Sequence, residues 1–532
     1  MVKNHDGEMI AQRALILQGG GALGAYEAGV LKSWCKELIK KDRENNRDGP
    51  LFDIVAGASM GAVNASLLVH NATKYRDEKT SYLDAWEKSV DDLCSFYKEV
   101  SSPNMGEPMW WVDNILLNNP MFVGFWKNWE LIRNQWEKNY DASFNLINDN
   151  DHSNGDSDND CKKSKNKTEF EEKIIKSPFR SLYFYLFPDK WGVPATPEIA
   201  RRFYSYWNML QFGSTKVISP AITQPDMKFL DPLQSTHVFA RFDNDPLVKT
   251  MKEFWDYEKY PGIKTKEGEP RLLVVSVDIE DCTTATTFDS YADYAEYGED
   301  LKYKIDLPEG ITIDHVKASM STFLRYQYSW FKAKVTENGK SKDAIRHFWD
   351  GAYIANTPAN EVISKHRQYW KKQGKIPDLE LYIINLYPSV EPGIPSSPDT
   401  IQDRQTDISF HDRTKSGIRI ARMRTDYIDL VGKLVELAKG KGLEKDIDDI
   451  LSEKARSKTS RGDERLYGDL LEGRFKIQKV VYAKRKEKDG NAIYGKAFDF
   501  SQKTISELLI DGENAGKKSF EESQKHSAGN VV

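Results

Sequence analysis

Ser59 lies in the pentapeptide Gly57-Ala58-Ser59-Met60-Gly61, which fits the G-x-S-x-G pattern of a nucleophile elbow. The apolar run LFDIVA precedes it, and the run MGAVNASLLVH, rich in small residues, follows it. This order predicts a strand, a tight turn at the serine and a helix whose positive end faces the hydroxyl group. Ser59 is therefore the candidate nucleophile, although a serine at a helix start is often only an N-cap.

A second glycine-rich turn, Gly19-Gly20-Gly21 followed by Gly24, lies between the apolar run ALIL and a helical pattern. Glycines at such a junction let the backbone approach another group closely or adopt a positive φ. The same letters fit G-x-G-x-x-G, the dinucleotide-binding pattern, which needs a strand ending in Asp or Glu about 20 residues later. The next apolar run ends in glycine and alanine, which disfavours the alternative of an NAD(P)-binding oxidoreductase.

Asp350, followed by Gly351 in the segment WDGAYIANTP, is the candidate base for Ser59. An Asp-Gly pair directly after an apolar segment predicts the end of a strand at the carboxyl edge of the sheet, where open α/β sheets bind ligands. Taken alone, the pair is equally a common turn. Burial would raise the pKa of the carboxyl group and make it a stronger base. A conventional Ser-His-Asp triad with His366 or His411 is the nearest variant, but no histidine stands in a recognisable triad context.

Two successive strand–turn–helix units within residues 13–70 predict a parallel sheet covered by helices. Further strand signals lie at 271–279, 379–388 and 474–485, and helical signals lie at 403–439 and near 501–511. The aromatic-rich region 95–235 predicts a helical insertion with a disordered loop near 145–170, and the tail 517–532 is expected to fray.

The composition, with 39% hydrophobic and 30% charged residues, is that of a globular protein. A net charge of -5 argues against nucleic acid as a partner. The four cysteines are far apart and form no C-x-x-C pair, which argues against a zinc site or disulfide framework and favours a reducing compartment. The first residues do not have the pattern of a secretory leader, and no apolar run reaches the length needed to span a bilayer, so we expect neither a leader nor a spanning segment. We therefore expect a cytoplasmic protein with at most peripheral membrane contact, and the oligomeric state is not predicted.

In combination, GGGALG, GASMG and DGA resemble the motifs of the patatin-like phospholipase family, in the same order and in matching settings. The resemblance implies an α/β fold, a three-layer sandwich with a mostly parallel central sheet, over residues 10–390. In this chain the sandwich would carry the aromatic-rich helical insertion at 95–235 and be followed by a C-terminal α+β extension over 391–532.

The resemblance also implies a serine acyl hydrolase that cleaves carboxylic ester bonds of lipids through a Ser-Asp dyad and an acyl-enzyme, without a cofactor or metal. Carried over by position, Ser59 is the nucleophile, Asp350 is the base, and the oxyanion hole consists of backbone amides. The implied donors are Gly19, Gly20, Gly21 and Met60, with Gly24, Gly57, Gly61 and Gly351 as supporting glycines. The expected substrate is a lipid or fatty-acyl ester, and the main alternative is a catalytically silent lipid-binding protein on the same fold.

Overall fold

A computed structural model of the chain describes residues 10–102, 242–291 and 303–529, apart from short breaks, together with scattered positions between 202 and 220. The strands in chain order are β1 (Gln12–Leu17), β2 (Ile54–Ala58), β3 (Ser219–Pro220), β4 (Phe242–Asp243), β5 (Arg271–Asp278), β6 (Thr286–Asp289), β7 (Tyr303–Lys304), β8 (Ser329–Glu337), β9 (Lys340–Asp350), β10 (Leu379–Asn385) and β11 (Ile477–Lys484).

Twelve α-helices lie in the described part of the chain, and two short 3-10 helices span Gly21–Leu23 and Lys496–Phe498. The α-helices are α1 (Gly24–Glu44), α2 (Met60–Asp77), α3 (Tyr82–Val100), α4 (Asp245–Trp255), α5 (Ile313–Met320), α6 (Ala352–Ala355), α7 (Ala359–Lys372), α8 (Pro398–Phe410), α9 (Thr414–Lys439), α10 (Glu444–Leu451), α11 (Tyr467–Leu471) and α12 (Gln502–Gly529).

The central sheet has nine strands in the order β11-β10-β1-β2-β5-β9-β8-β7, with β6 paired to β5 outside this path. Strands β11, β10, β1, β2 and β5 are all parallel to one another. Strands β6 and β9 pair with β5 in the antiparallel direction, and β9, β8 and β7 continue as an antiparallel meander. Parallel strands connected by helices need cover on both faces of the sheet.

The side chains of β1 alternate between two buried clusters. Leu15 and Leu17 pack with α1, α2 and α3 on one face, whereas Ala14 and Ile16 pack with α7 on the other. This alternation is the period of a strand that is buried on both sides. The prediction of a three-layer α/β sandwich with a mostly parallel sheet is therefore confirmed.

The predicted C-terminal extension is built into this sandwich. Strand β11 pairs with β10 at the sheet edge, and α12 packs against α1. A Cβ atom at Gly29 would collide with the Leu509 carbonyl oxygen, and one at Gly512 would collide with the Tyr26 carbonyl oxygen. The two helices therefore approach each other backbone to backbone.

Two expectations about helices in this region differ from the structure. The tail 517–532 was expected to fray, but α12 continues to Gly529 because Ser519 and Phe520 are buried against the body. The helical signal at 403–439 consists of two helices, α8 and α9, separated by a short turn in which Asp412 accepts the amide proton of Thr414.

The predicted insertion at 95–235, with its loop near 145–170, lies almost entirely outside the described residues. The described part of the chain stops at Ser102, just after α3, and scattered positions are described again from Arg202. None of the described helices combines the length and the apolar character needed to cross a bilayer.

The close contact between α1 and α12 predicts opposite effects for two glycine substitutions. Gly512→Ala forces a methyl group onto the Tyr26 carbonyl oxygen and should lower the free energy of unfolding by about 1–3 kcal/mol. Gly432→Ala in α9 meets nothing within 4 Å and should raise it by about 0.5–1 kcal/mol, because alanine favours the helix. Urea unfolding followed by circular dichroism measures the free energy of unfolding of both variants. Equal changes in the two variants would contradict the close backbone contact at Gly512.

Candidate active site

Ser59 occupies a strained turn between β2 and α2. Its φ is +53°, in the left-handed region that non-glycine residues seldom adopt, and its side chain is half-buried. A Cβ atom at Gly57 would collide with the Gly61 carbonyl oxygen, and one at Gly61 would lie 2.6 Å from the Leu17 carbonyl oxygen. Both glycines are therefore required by the tightness of the turn, which gives Ser59 the geometry of a nucleophile elbow.

The glycine-rich turn after β1 passes directly beside Ser59. A Cβ atom at Gly19 would lie 2.7 Å from the Cβ of Ser59, and Gly21 has a φ of +56°. Within the described residues, the amides of Gly20, Gly21 and Met60 donate to no protein acceptor. These amides therefore remain candidate oxyanion donors.

Gly19 differs from the other predicted oxyanion donors. Its amide donates to Oδ1 of Asn356 at 2.9 Å, and Asn356 is buried directly after α6. The proton of this amide is thus already engaged, so Gly19 serves the close approach of the turn to Ser59 and is not an available donor in this arrangement.

Asp350 reaches the same edge of the sheet from an unexpected direction. It ends β9, which runs antiparallel to β5, and its register partner is Ser276 near the carboxyl end of β5. Ala58 pairs with Val275, so the residue after it, Ser59, lies level with Ser276 on the opposite side of β5. Asp350 lies at the carboxyl edge of the parallel strands, as predicted, but the strand that ends in Asp350 is antiparallel to them.

The Asp350 carboxylate is buried, accepts two hydrogen bonds and lies beside the Ser59 hydroxyl. The amide of Ala352 donates to Oδ1 at 2.9 Å, and the hydroxyl group of Thr322 donates to Oδ2 at 3.2 Å. Burial raises the pKa of Asp350 to about 6, and the interactions with Ala352, Ser59 and Thr322 oppose that rise. The group is therefore ionised at neutral pH yet more basic than an exposed carboxylate.

The segment that ends α5 orients both of these residues. The hydroxyl group of Ser319, fully buried, accepts the Ser59 amide proton at 2.9 Å and donates to the Val275 carbonyl oxygen at 2.5 Å. Three residues later, Thr322 binds Asp350, and the Ser321 carbonyl oxygen accepts the Asp350 amide at 3.0 Å. Sequence reasoning missed Ser319 and Thr322, and the run of small hydroxyl residues at the end of an apolar helix is the signal that would have pointed to them.

A buried carboxyl group connects the two glycine-rich turns. Oε1 of Glu27 in α1 accepts the Gln18 amide at 2.7 Å, and Oε2 accepts Nδ2 of Asn64 in α2 at 2.8 Å. The Tyr97 hydroxyl donates to Asn64 at 2.9 Å, in space that a Cβ atom at Gly24 would fill. Complete burial raises the pKa of Glu27 well above its usual value. Gly24 is thus needed for this network and not for a ligand.

The described histidines with assigned contacts are engaged elsewhere. His347 binds Glu280 at 2.6 Å, and His411 binds the Ile408 carbonyl oxygen at 2.9 Å. His366 binds the Pro377 carbonyl oxygen at 2.8 Å, and burial lowers its pKa to about 4. His366 and His411, the candidates for a conventional triad, are therefore not brought to Ser59.

The described residues contain no group of three or more His, Cys, Asp or Glu side chains that could hold a metal ion. The glycine-rich turn, which also fitted a dinucleotide-binding pattern, is packed between Ser59 and the Ala497 carbonyl oxygen, against which a Cβ atom at Gly21 would collide. Strand β2 is followed by Ser59, whereas the dinucleotide-binding pattern needs an Asp or Glu at the end of that strand.

Comparisons with known proteins agree with these motifs. A family model described as Patatin-like phospholipase matches residues 15–363, which include both glycine-rich turns and Asp350. No curated protein matches the chain. Among solved structures, the chain is similar to the crystal structure of VipD from Legionella pneumophila, with a TM-score of 0.27 and 10% sequence identity over 98% of this chain and 70% of that chain. Because the family model covers more than half of the sequence, the chain belongs to the patatin-like phospholipase family, a family of lipid acyl hydrolases.

Proposed function

We propose that the protein hydrolyses carboxylic ester bonds of lipids through a dyad of Ser59 and Asp350 and an acyl-enzyme intermediate. The observation that carries this proposal is the placement of Ser59, on an elbow with left-handed backbone, level with the buried Asp350 across the end of β5, where the Ser59 side chain lowers the pKa of that carboxylate. The family's lipid substrates and the absence of a histidine contact at Ser59 among the described residues support it.

In the first half of the reaction, Oγ of Ser59 attacks the ester carbonyl carbon while Asp350 takes the hydroxyl proton. Negative charge develops on the carbonyl oxygen, and the amides of Gly20, Gly21 and Met60 are the proposed donors to it. Each such donor contributes roughly 2.7–4 kcal/mol in other hydrolases. Met60 is also the first residue of α2, whose positive end stabilises the same charge.

In the second half, the tetrahedral intermediate collapses and Asp350 returns its proton to the departing alcohol. Water then enters, Asp350 accepts one of its protons, and the resulting hydroxide attacks the acyl-enzyme. Collapse of this second intermediate breaks the bond to Oγ of Ser59 and releases the fatty acid, and Asp350 gives its proton to Oγ, which restores both the hydroxyl group and the carboxylate. No redox change occurs, so no cofactor is required by this sequence of steps.

Lipid esters are the proposed partners, and membrane contact is proposed to be peripheral.

Loss of either member of the dyad should abolish turnover. Ser59→Ala and Asp350→Asn should each lower kcat/KM on a chromogenic fatty-acyl ester by at least about 10³-fold. Only Ser59→Ala removes the atom that a fluorophosphonate probe labels. Ser66→Ala is the matched control, because this buried α2 serine has a hydroxyl without a partner among the described residues.

An unlabelled parent protein would favour the catalytically silent lipid-binding alternative. A loss of less than about tenfold in kcat/KM for Ser59→Ala would overturn the dyad.

The pH dependence of kcat/KM should follow the ionisation of Asp350. Its pKa is raised to about 6, and the base must be ionised to accept the Ser59 proton. We therefore expect a plateau above about pH 7 and a tenfold fall for each pH unit below about 6. A profile with its midpoint near 4 would mean that Asp350 is as exposed to water as a surface carboxylate in the working enzyme.

Ser319 should act by positioning the nucleophile. Ser319→Ala leaves the Ser59 amide without its acceptor at 2.9 Å and should lower kcat by about 10–100-fold with little change in KM. Ser321→Ala nearby removes a hydroxyl whose contacts among the described residues are the Lys317 carbonyl oxygen and, at 3.5 Å, the Ser329 hydroxyl. This variant should leave both constants within about twofold. A matching loss in both variants would instead point to a general defect of this segment.

A further inference from the structure

Helix α8 buries two carboxylates and exposes two isoleucines. Asp403 and Asp407, one turn apart, are 1% and 0% exposed, and both bind Nζ of Lys496, at 3.1 Å and 2.7 Å. Ile401 and Ile408 are 52% and 53% exposed and lie on one side of the helix, with the exposed Gln405 between them. A surface helix normally turns its charged side chains to solvent and its apolar ones to the core. The outward side of α8 therefore carries two apolar side chains that the fold leaves uncovered.

This helix is attached directly to the candidate active site. The side chain of Asn356 accepts the Gly19 amide at 2.9 Å and donates to the carbonyl oxygen of Phe410, the last residue of α8, at 2.8 Å. The ring of Phe410 also packs against Tyr353, three residues after Asp350. The exposed isoleucines thus belong to an element fixed to the same sheet edge as Ser59.

Elements that contact α8 also carry exposed apolar side chains. Tyr353 and Ile354 of α6 are partly exposed, and Val390 is exposed in the segment after β10. That segment is bound to α8, because Arg404 donates to the carbonyl oxygens of Pro388 and Ser389, each at 3.0 Å. The entrance surface is defined here as Tyr353, Ile354, Val390, Ile401 and Ile408.

Exposed cations follow α8 in the chain. Arg413 donates to the Ile408 carbonyl oxygen at 2.7 Å, and the exposed side chains of Lys415 and Arg419 follow in α9. The carboxylate of Asp412 between them binds Asn385 and Thr414. An apolar face bordered by exposed cations complements a lipid surface that carries anionic headgroups.

We propose that the entrance surface docks the protein onto an anionic lipid surface and so presents Ser59 to substrate molecules within it. This inference rests on the proposed lipid ester hydrolysis, but α8 lies outside the residues that match the family model. The two isoleucines of α8 therefore belong to this chain's C-terminal extension, whereas Tyr353 and Ile354 belong to the matched residues.

A matched control surface lies at the opposite end of the sheet. In α9, Arg422 donates to the Ile477 carbonyl oxygen and Thr425 donates to the Phe475 carbonyl oxygen, both at the start of β11. The helix continues beyond this edge to Leu434 and Leu437, which are 57% and 63% exposed. These leucines are as exposed as the isoleucines of α8 but face away from the edge that carries Ser59.

The test compares Ile401→Ser/Ile408→Ser with Leu434→Ser/Leu437→Ser in the full chain. Binding is measured by sedimentation with vesicles of phosphatidylcholine and phosphatidylglycerol, and turnover is measured on a water-soluble short-chain ester. We expect the isoleucine variant to lose vesicle binding by about tenfold or more, because two half-exposed side chains no longer enter the lipid. Its rate on the soluble ester should equal that of the parent, and the leucine variant should bind vesicles like the parent.

Parent-like vesicle binding by the isoleucine variant, an equal loss in the leucine variant, or a parent that does not bind these vesicles would each overturn the docking proposal. A dimer of the parent that the isoleucine variant alone loses, with vesicle binding unchanged, would assign the surface to a second copy of the chain and also overturn it. If the parent binds vesicles through Ile401 and Ile408 but hydrolyses no ester, the docking surface stands and the proposed function fails.

Discussion

The left-handed backbone at Ser59 is the constraint on which the rest of the site depends. A non-glycine residue held at a φ of +53° costs on the order of 1 kcal/mol or more, and it persists only where the surroundings fix it. Those surroundings are Gly57 and Gly61, which leave room for the turn, and Ser319, which binds the Ser59 amide. The neighbouring strand supplies the remaining anchor, because Ser319 also donates to Val275 in β5.

Buried hydrogen bonds fix the position of the glycine-rich turn. Apolar contacts alone are non-directional and would not specify one position for it. Glu27 binds the backbone of Gln18, and the Gln18 side chain accepts the Leu386 amide at 2.6 Å and donates to Thr357 at 2.5 Å. Each of these groups would cost several kcal/mol if buried without a partner, so the network tolerates only one arrangement of the elements. The turn is consequently fixed to α1, to the end of β10 and to the segment after α6.

The parts of the fold that were predictable from sequence are those with local patterns. The glycine turns and apolar runs around Gly20 and Ser59 predicted both strand–turn–helix units, and the Asp-Gly pair predicted the edge at which Asp350 lies. The direction of β9 was not predictable, because it depends on antiparallel pairing with the distant strand β5. The sequence of β9 itself carries no pattern that specifies this direction. Ser319 was missed for the same reason, since its role comes from contacts with distant residues. The buried Asp403 and Asp407 depend on Lys496, far along the chain, so α8 carries no sequence pattern of a buried charged face.

The position of β1 in the sheet has a consequence for synthesis on the ribosome. Gln12 pairs with Leu379, β11 completes that edge, and α12 covers α1 through Gly512. The strand that precedes the glycine-rich turn therefore emerges long before its neighbours. At 5–20 residues per second, this interval is on the order of tens of seconds. Throughout it, β2, α2 and α3 can already pack against β1 and α1, but the β10 edge of β1 and the α12 side of α1 stay open until the last part of the chain has emerged.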